Sequence, residues 1–226
     1  MSDSLSFAPR SPLAAVGPAA VSAAVPVSAA VPVSAVVPGS AAVPVPAPGV
    51  TAAVLDGFGL ATVLARKGSS QALAQRVHER FGMDLPAGPK LSAASGVVFA
   101  GTGPGAWLAM AERGGNAFAA KLMSDLHGVA SVSDQSDGYV LIRLTGARVR
   151  DALSKLVPID LHARAFKTGD LASTVASHIG VTLWRPADEP DAGHLFEIAM
   201  FRSLARSFWH ALADAAAEYG FEAHLP

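Results

Sequence analysis

Apolar and polar positions alternate at period two along Tyr139–Leu144. Val140, Ile142 and Leu144 share one face, and Tyr139, Leu141 and Arg143 share the other, which predicts a strand. After a break at Thr145-Gly146 the period lengthens. Val149, Ala152, Leu153 and Leu156 stand at i, i+3, i+4 and i+7, the apolar stripe of a helix. Arg148, Arg150, Asp151 and Lys155 take its wet side, with Asp151 and Lys155 as a favourable i,i+4 pair. Pro158 stops this helix, because proline lacks the N–H and excludes the α region just before it.

The same reading covers most of the chain. Gly59–Arg66 predicts a strand after a turn at Asp56-Gly57. Ser69 or Ser70 is an N-cap for a helix whose stripe is Leu73, Ala74, Val77 and Phe81, closed by a left-handed Gly82. Pro86 to Ser95 reads as a loop. Val97–Ala100 and Ala106–Met110 are strands flanking Gly101–Gly105. A helix over Asn116–Leu126 turns Phe118, Ala119, Leu122, Met123 and Leu126 inward, and a short strand follows at Val129–Ser133. Beyond Phe166, Leu171–Trp184 predicts one long strand, bulged near Gly180, and Arg185–Gly193 a polar turn. Leu195–Phe201 alternates, with Phe196, Ile198 and Met200 on one face. Ser203 then caps a long helix with Leu204, Phe208, Ala211, Leu212, Ala215 and Tyr219 in its stripe, ending at Gly220. The order is βαββαβ followed by βαββα. That is an α+β chain of two ferredoxin-like halves, about residues 57–134 and 138–222, each an antiparallel sheet with helices on one face.

Ahead of this domain, residues 51–226, the pattern differs. Ser11 to Leu55 carries no charge, and Val-Ser-Ala-Ala-Val-Pro repeats so that Pro26, Pro32, Pro38 and Pro44 recur at every sixth position. Such spacing removes the N–H groups that a helix or central strand needs, and predicts a disordered, extended Ala/Val/Pro-rich arm over residues 1–50. Prolines at positions 12, 18 and 26 interrupt any signal-peptide core.

Composition narrows the chemistry. The 226-residue chain has a formal net charge of −1, so it shows no electrostatic footprint for nucleic acid or an anionic membrane. With no cysteine, disulfides, Cys-ligated zinc, iron–sulfur clusters and thiol nucleophiles are excluded. No apolar run approaches the roughly 18–20 residues that span a bilayer. Gly101–Gly105 lacks a following helix N-terminus and reads as a hairpin turn rather than a phosphate cradle. His78-Glu79 has Gly82 where a second zinc-ligating histidine would stand, and His210 and Asp214 are two ligand types with no third. Ser203, His210 and Asp214 share one helix and cannot stack into a relay. Trp209 lies off the main helix stripe, which fits either a partner surface or a second buried face within the domain; Arg202, Arg206 and Arg164 either ring such a surface or stand as scattered solvated charges.

The runs VSDQSDGYVLIRLTGARVRDALSKLVPIDLHARAF and RSLARSFWHALADAAAEYG resemble the gamma subunit of heterotetrameric sarcosine oxidase. That family is in turn similar to the folate-binding domain of aminomethyltransferase, the T-protein of glycine cleavage. The resemblance spans roughly Pro48 to Glu222. It implies a cytoplasmic complex that oxidatively demethylates sarcosine to glycine, with this chain as a non-catalytic structural subunit beside alpha, beta and delta partners. It further implies that FAD, FMN, NAD, tetrahydrofolate and zinc belong to those other subunits, and that this chain binds none of them. Asp160, just past the central helix, lies near the folate-side aspartate of the aminomethyltransferases. For Asp160 and His162 a capping or interface role outweighs catalysis. Two rival expectations remain: an independent folate-dependent enzyme, and an interaction module that binds through its Ala/Val/Pro arm.

Overall fold

The structure is a computed structural model that describes residues 47–187 and 193–225. The repeat arm, residues 11–46, lies outside the described residues. Two sheets form the body. The first has five strands in the order β3-β4-β5-β2-β6: β2 (Gly59–Ala65), β3 (Leu91–Ala94), β4 (Val97–Gly103), β5 (Ala106–Ala111) and β6 (Ala130–Asp134). Helices α1 (Ser70–Phe81) and α2 (Gly115–Asp125) belong to this half. Without its edge strand β3, the order is the ferredoxin-like one.

The second sheet has six strands in the order β11-β1-β7-β10-β9-β8. Its members are β1 (Val50–Leu55), β7 (Tyr139–Gly146), β8 (Leu171–Ala176), β9 (Ile179–Trp184), β10 (His194–Phe201) and β11 (Phe221–His224), with helices α3 (Val149–Ser154) and α4 (Ala205–Ala216). This half is also ferredoxin-like, with two changes. β8 is added at the edge beside β9. β1 is inserted between its first and last strands, antiparallel to β7 and parallel to β11.

Three apolar clusters explain the layering. One lies between the six-stranded sheet and α3 and α4, around Ile142, Phe196, Phe208 and Trp209. A second lies between the five-stranded sheet and α1 and α2, around Leu73, Val77, Phe99 and Leu122. The third joins the inner faces of the two sheets through Leu60, Leu108, Leu141, Leu171 and Trp184. Helices therefore cover the outside and the sheets face each other within. A buried turn locks the halves: Ser136 Oγ accepts the Leu60 N–H at 3.0 Å and donates to Asp134 Oδ1 at 2.7 Å.

Several elements depart from the sequence reading. Val50–Leu55, for which the periodicity gave no element, is a strand with Val50, Ala52 and Val54 buried. The loop expected at Pro86–Ser95 contains β3. Leu171–Trp184 is a hairpin, because Ser177 and His178 take φ of 46° and 71°, the double left-handed turn that matches strand twist. β7 runs through Gly146, whose φ of 126° lets its backbone pass Gly49; a Cβ there would meet Gly49 O at 2.3 Å. Asp151 pairs with Arg148 at 2.8 Å, and Lys155 pairs with Glu218 instead. Ser69 makes no side-chain cap bond, and Ser203 lies inside a 3₁₀ turn, Arg202–Leu204, that precedes α4. Met123 and Leu204 point to solvent.

Candidate functional site

On the inner face of the six-stranded sheet, one row of direct neighbours runs Trp184, Glu197, Arg143, Ala53 across β9, β10, β7 and β1. Alternation sends these side chains toward the other sheet, where water is scarce. The charges answer each other. Glu197 Oε1 accepts from Arg143 Nε at 2.8 Å and Nη2 at 2.7 Å, and Oε2 accepts from Trp184 Nε1 at 2.8 Å. With Glu197 only 8% exposed, both carboxylate oxygens need these donors.

Trp184, Glu197 and Arg143 of this row form one wall of a cleft of about 580 Å³ between the sheets. Phe58, Met110 and Leu141 make its apolar floor, and Arg113 and Arg185 also line it. One side is sewn shut. Lys90 and Asp170 form an isolated bridge and an ion pair, while Leu91 N donates to Gly169 O at 2.8 Å and Leu171 N to Pro89 O at 2.9 Å. Burial pushes the Asp170 carboxyl up, but donation from Lys90 Nζ and the Lys167 N–H outweighs it and holds the group below its ordinary value. The cleft thus has an apolar floor, the Arg143–Glu197 pair on one wall, and further charges of both signs in its lining, Asp56 and Glu112 with Arg113 and Arg185. The row's signal in the sequence was one charged residue among the apolar positions of each strand, Arg143 after Leu141 and Glu197 before Ala199.

The predicted interface residues are not brought together. Trp209 has no exposed surface; it packs edge-on against Phe221 with ring centroids 5.9 Å apart. It is core, not partner surface, because β11 covers the flank of α4 that sequence alone leaves bare. Asp160, His162 and Arg164 sit in the loop after α3. There Asp160 Oδ1 accepts the His162 N–H at 2.8 Å and His162 Nδ1 accepts the Arg164 N–H at 3.3 Å. Arg202 lies just past the opposite end of the neighbouring β10, where its Nε donates to Asp137 O at 2.6 Å. Arg206 is exposed on α4. Gly101–Gly105 belongs to a β-hairpin, with an irregular register between Gly101 and Gly103. Among the described residues no group of three His, Cys, Asp or Glu side chains could hold a metal, and no helix is long and apolar enough to cross a membrane.

A family model described as sarcosine oxidase, gamma subunit family, matches residues 66–218. The fold is similar to a chain of the heterotetrameric sarcosine oxidase from Corynebacterium sp. U-96, solved in complex with pyrrole 2-carboxylate. The TM-score is 0.65 at 27% identity, covering 75% of this chain and 85% of that one. It is also similar to the glycine cleavage system aminomethyltransferase T from Bartonella henselae, with a TM-score of 0.57 at 15% identity, covering 78% of this chain and 48% of that one. That second likeness concerns the fold. No curated protein sequence matches the chain.

Proposed function

The chain belongs to the sarcosine oxidase gamma subunit family, and we propose that it serves as a structural, non-catalytic subunit of a heterotetrameric sarcosine oxidase. The likeness that carries this reading is the one to a chain of that enzyme, because it extends over 85% of the other chain's length. The assembly demethylates sarcosine oxidatively to glycine in the cytoplasm. Flavin, nicotinamide, folate and zinc chemistry resides on its alpha, beta and delta companions. This chain supplies a stiff body: two sheets locked face to face, the Arg143–Glu197 pair in the cleft, and helices outside.

Co-expression with the companion subunits tests the proposal. The chain is expected to co-purify in stoichiometric amount with a complex that absorbs as a flavoprotein. Omitting the chain is expected to lower the yield of assembled complex, with residual activity following the amount assembled. A fully assembled, fully active flavoprotein lacking this chain would sink the assignment.

A further inference from the structure

On the inner face of the six-stranded sheet, at the end away from the Arg143–Glu197 row, a second, shallower groove of about 460 Å³ opens. Its lining, which includes Tyr139, Ser173, Val175, Ala199 and Phe201, carries no charged residue. Val175 is 45% exposed and Phe201 53%, two of the five large hydrophobic side chains exposed among the described residues. A third of the five, Leu204, follows in the adjoining 3₁₀ turn. The Phe201 ring leans on Tyr139 at 4.8 Å, and Arg202 pins the end of β10 to Asp137 O and Tyr139 O. The aromatic pair is therefore held in place rather than loosely displayed.

Among the described residues the edge beside this groove is open past Leu171, and the strand ladder of β8 is formed with β9 alone. The two-residue turn at Ser177-His178 makes Ala176–Ile179 a hydrogen-bonded pair, so alternation turns the backbone groups of Leu171, Ser173 and Val175 outward. Leu171 shows this parity, since its N–H leaves β9 for Pro89 O. The outward N–H groups of Ser173 and Val175 have no backbone acceptor among the described residues. Native edge strands are usually guarded by a charge, a proline or a bulge. The segment Leu-Ala-Ser-Thr-Val-Ala has neither charge nor proline, and its register with β9 is unbroken.

We infer that this corner is the docking site for an uncharged, extended segment of a companion subunit, which adds to β8 as a further strand and sets an apolar side chain against Val175 and Phe201. The open edge selects an extended chain, because only a strand satisfies outward N–H and C=O groups in sequence. The neutral lining selects an uncharged one, because a charge buried there would lose its hydration without a counter-ion. The inference rests on the oxidase-subunit reading above and names one surface through which such a subunit docks.

The experiment is co-expression of full-length chain variants with the companion subunits. Val175→Lys and Phe201→Glu place charge in the groove. Ser173→Pro deletes an outward donor while leaving the ladder to β9 intact. Each is expected to lower recovery of this chain in the flavin-containing complex at least tenfold, with a melting curve for the isolated chain close to wild type. Met123→Glu, at an exposed apolar residue on α2, is the control and retains assembly. Hydrogen exchange of the wild-type chain covers the case in which a variant misfolds: amides 173 and 175 are expected to exchange freely in the isolated chain and slowly in the complex. Wild-type assembly with normal recovery of the groove variants and no protection of β8 overturns the inference and leaves the subunit reading standing. Failure of the wild-type chain to enter any flavoprotein complex removes that reading, and the inference with it. Protection of β8 in the isolated chain that is lost on deleting residues 1–46, or that rises with its own concentration, assigns the groove to the arm or to a second copy and overturns the inference.

Discussion

Trp184 and Glu197 are direct neighbours across β9 and β10, and the indole N–H reaches the carboxylate at 2.8 Å while Arg143 holds the other oxygen. Removing the middle group strands the buried indole N–H of Trp184 and takes from Arg143 the carboxylate that it holds through two nitrogens. Glu197→Ala is expected to cost about 2 kcal/mol, the range for leaving buried donors unsatisfied. Glu197→Gln keeps an acceptor for Trp184 and is expected to cost about half as much. Urea denaturation of the isolated chain measures both; equal stability of all three proteins would show that the row carries no load.

Trp209 fills a core position, with its Nε1 buried and no hydrogen-bond partner among the described residues. Trp209→Ala is expected to destabilise the chain on its own by about 3–5 kcal/mol, whereas Trp209→Phe keeps the ring contact with Phe221 and costs about 1 kcal/mol. Thermal melts without partners check this. A normal melt for Trp209→Ala would return the residue to a partner surface.

Asp125 is buried at the end of α2, where burial raises its pKa but hydrogen bonds and charge from Arg80 and Lys121 outweigh that and lower it below its ordinary value. A carboxyl depressed on folding contributes stability above its unfolded pKa. That contribution is lost as pH falls from about 4 through the folded value. Stability of the wild-type chain is expected to drop more steeply over that window than that of Asp125→Asn. Parallel acid titrations with similar slopes would remove the linkage.

Ser177 and His178 hold the hairpin between β8 and β9 at positive φ, which costs an ordinary side chain free energy. Replacing the pair by Asn-Gly, the residues this turn prefers, is expected to raise stability by about 1 kcal/mol. A loss of stability on denaturant unfolding would mean that the His178 side chain makes contacts worth more than the relief.

Ser136 Oγ accepts the buried Leu60 N–H in the turn that links the halves. Ser136→Ala is expected to cost about 1–2 kcal/mol and to speed exchange of the Leu60 amide. Unchanged exchange at Leu60 would show that the turn is not the lock between the sheets.

Local periodicity determined much of this protein before any contact was known. The alternation of Val140, Ile142 and Leu144 marked the buried face of β7, and Leu73, Val77 and Phe81 marked the inner side of α1. Both follow from backbone geometry within a few residues, as does the α+β order of two ferredoxin-like halves. The Asp134-x-Ser136 run was visible as part of a family pattern, but its meaning, a lock on Leu60, lay 76 residues away. What only the tertiary structure decided was pairing. β1 alternates as clearly as β7, yet its Val and Ala residues continue the composition of the uncharged arm, and nothing local says that it slides between β7 and β11. Trp209 follows from the same cause, since the strand that covers it comes after the helix ends. Arg143 and Glu197 are 54 positions apart, and each strand pattern alone shows a charge on a face without naming its partner. Periodicity assigns a side chain to a face, but only the register between strands decides what that face meets.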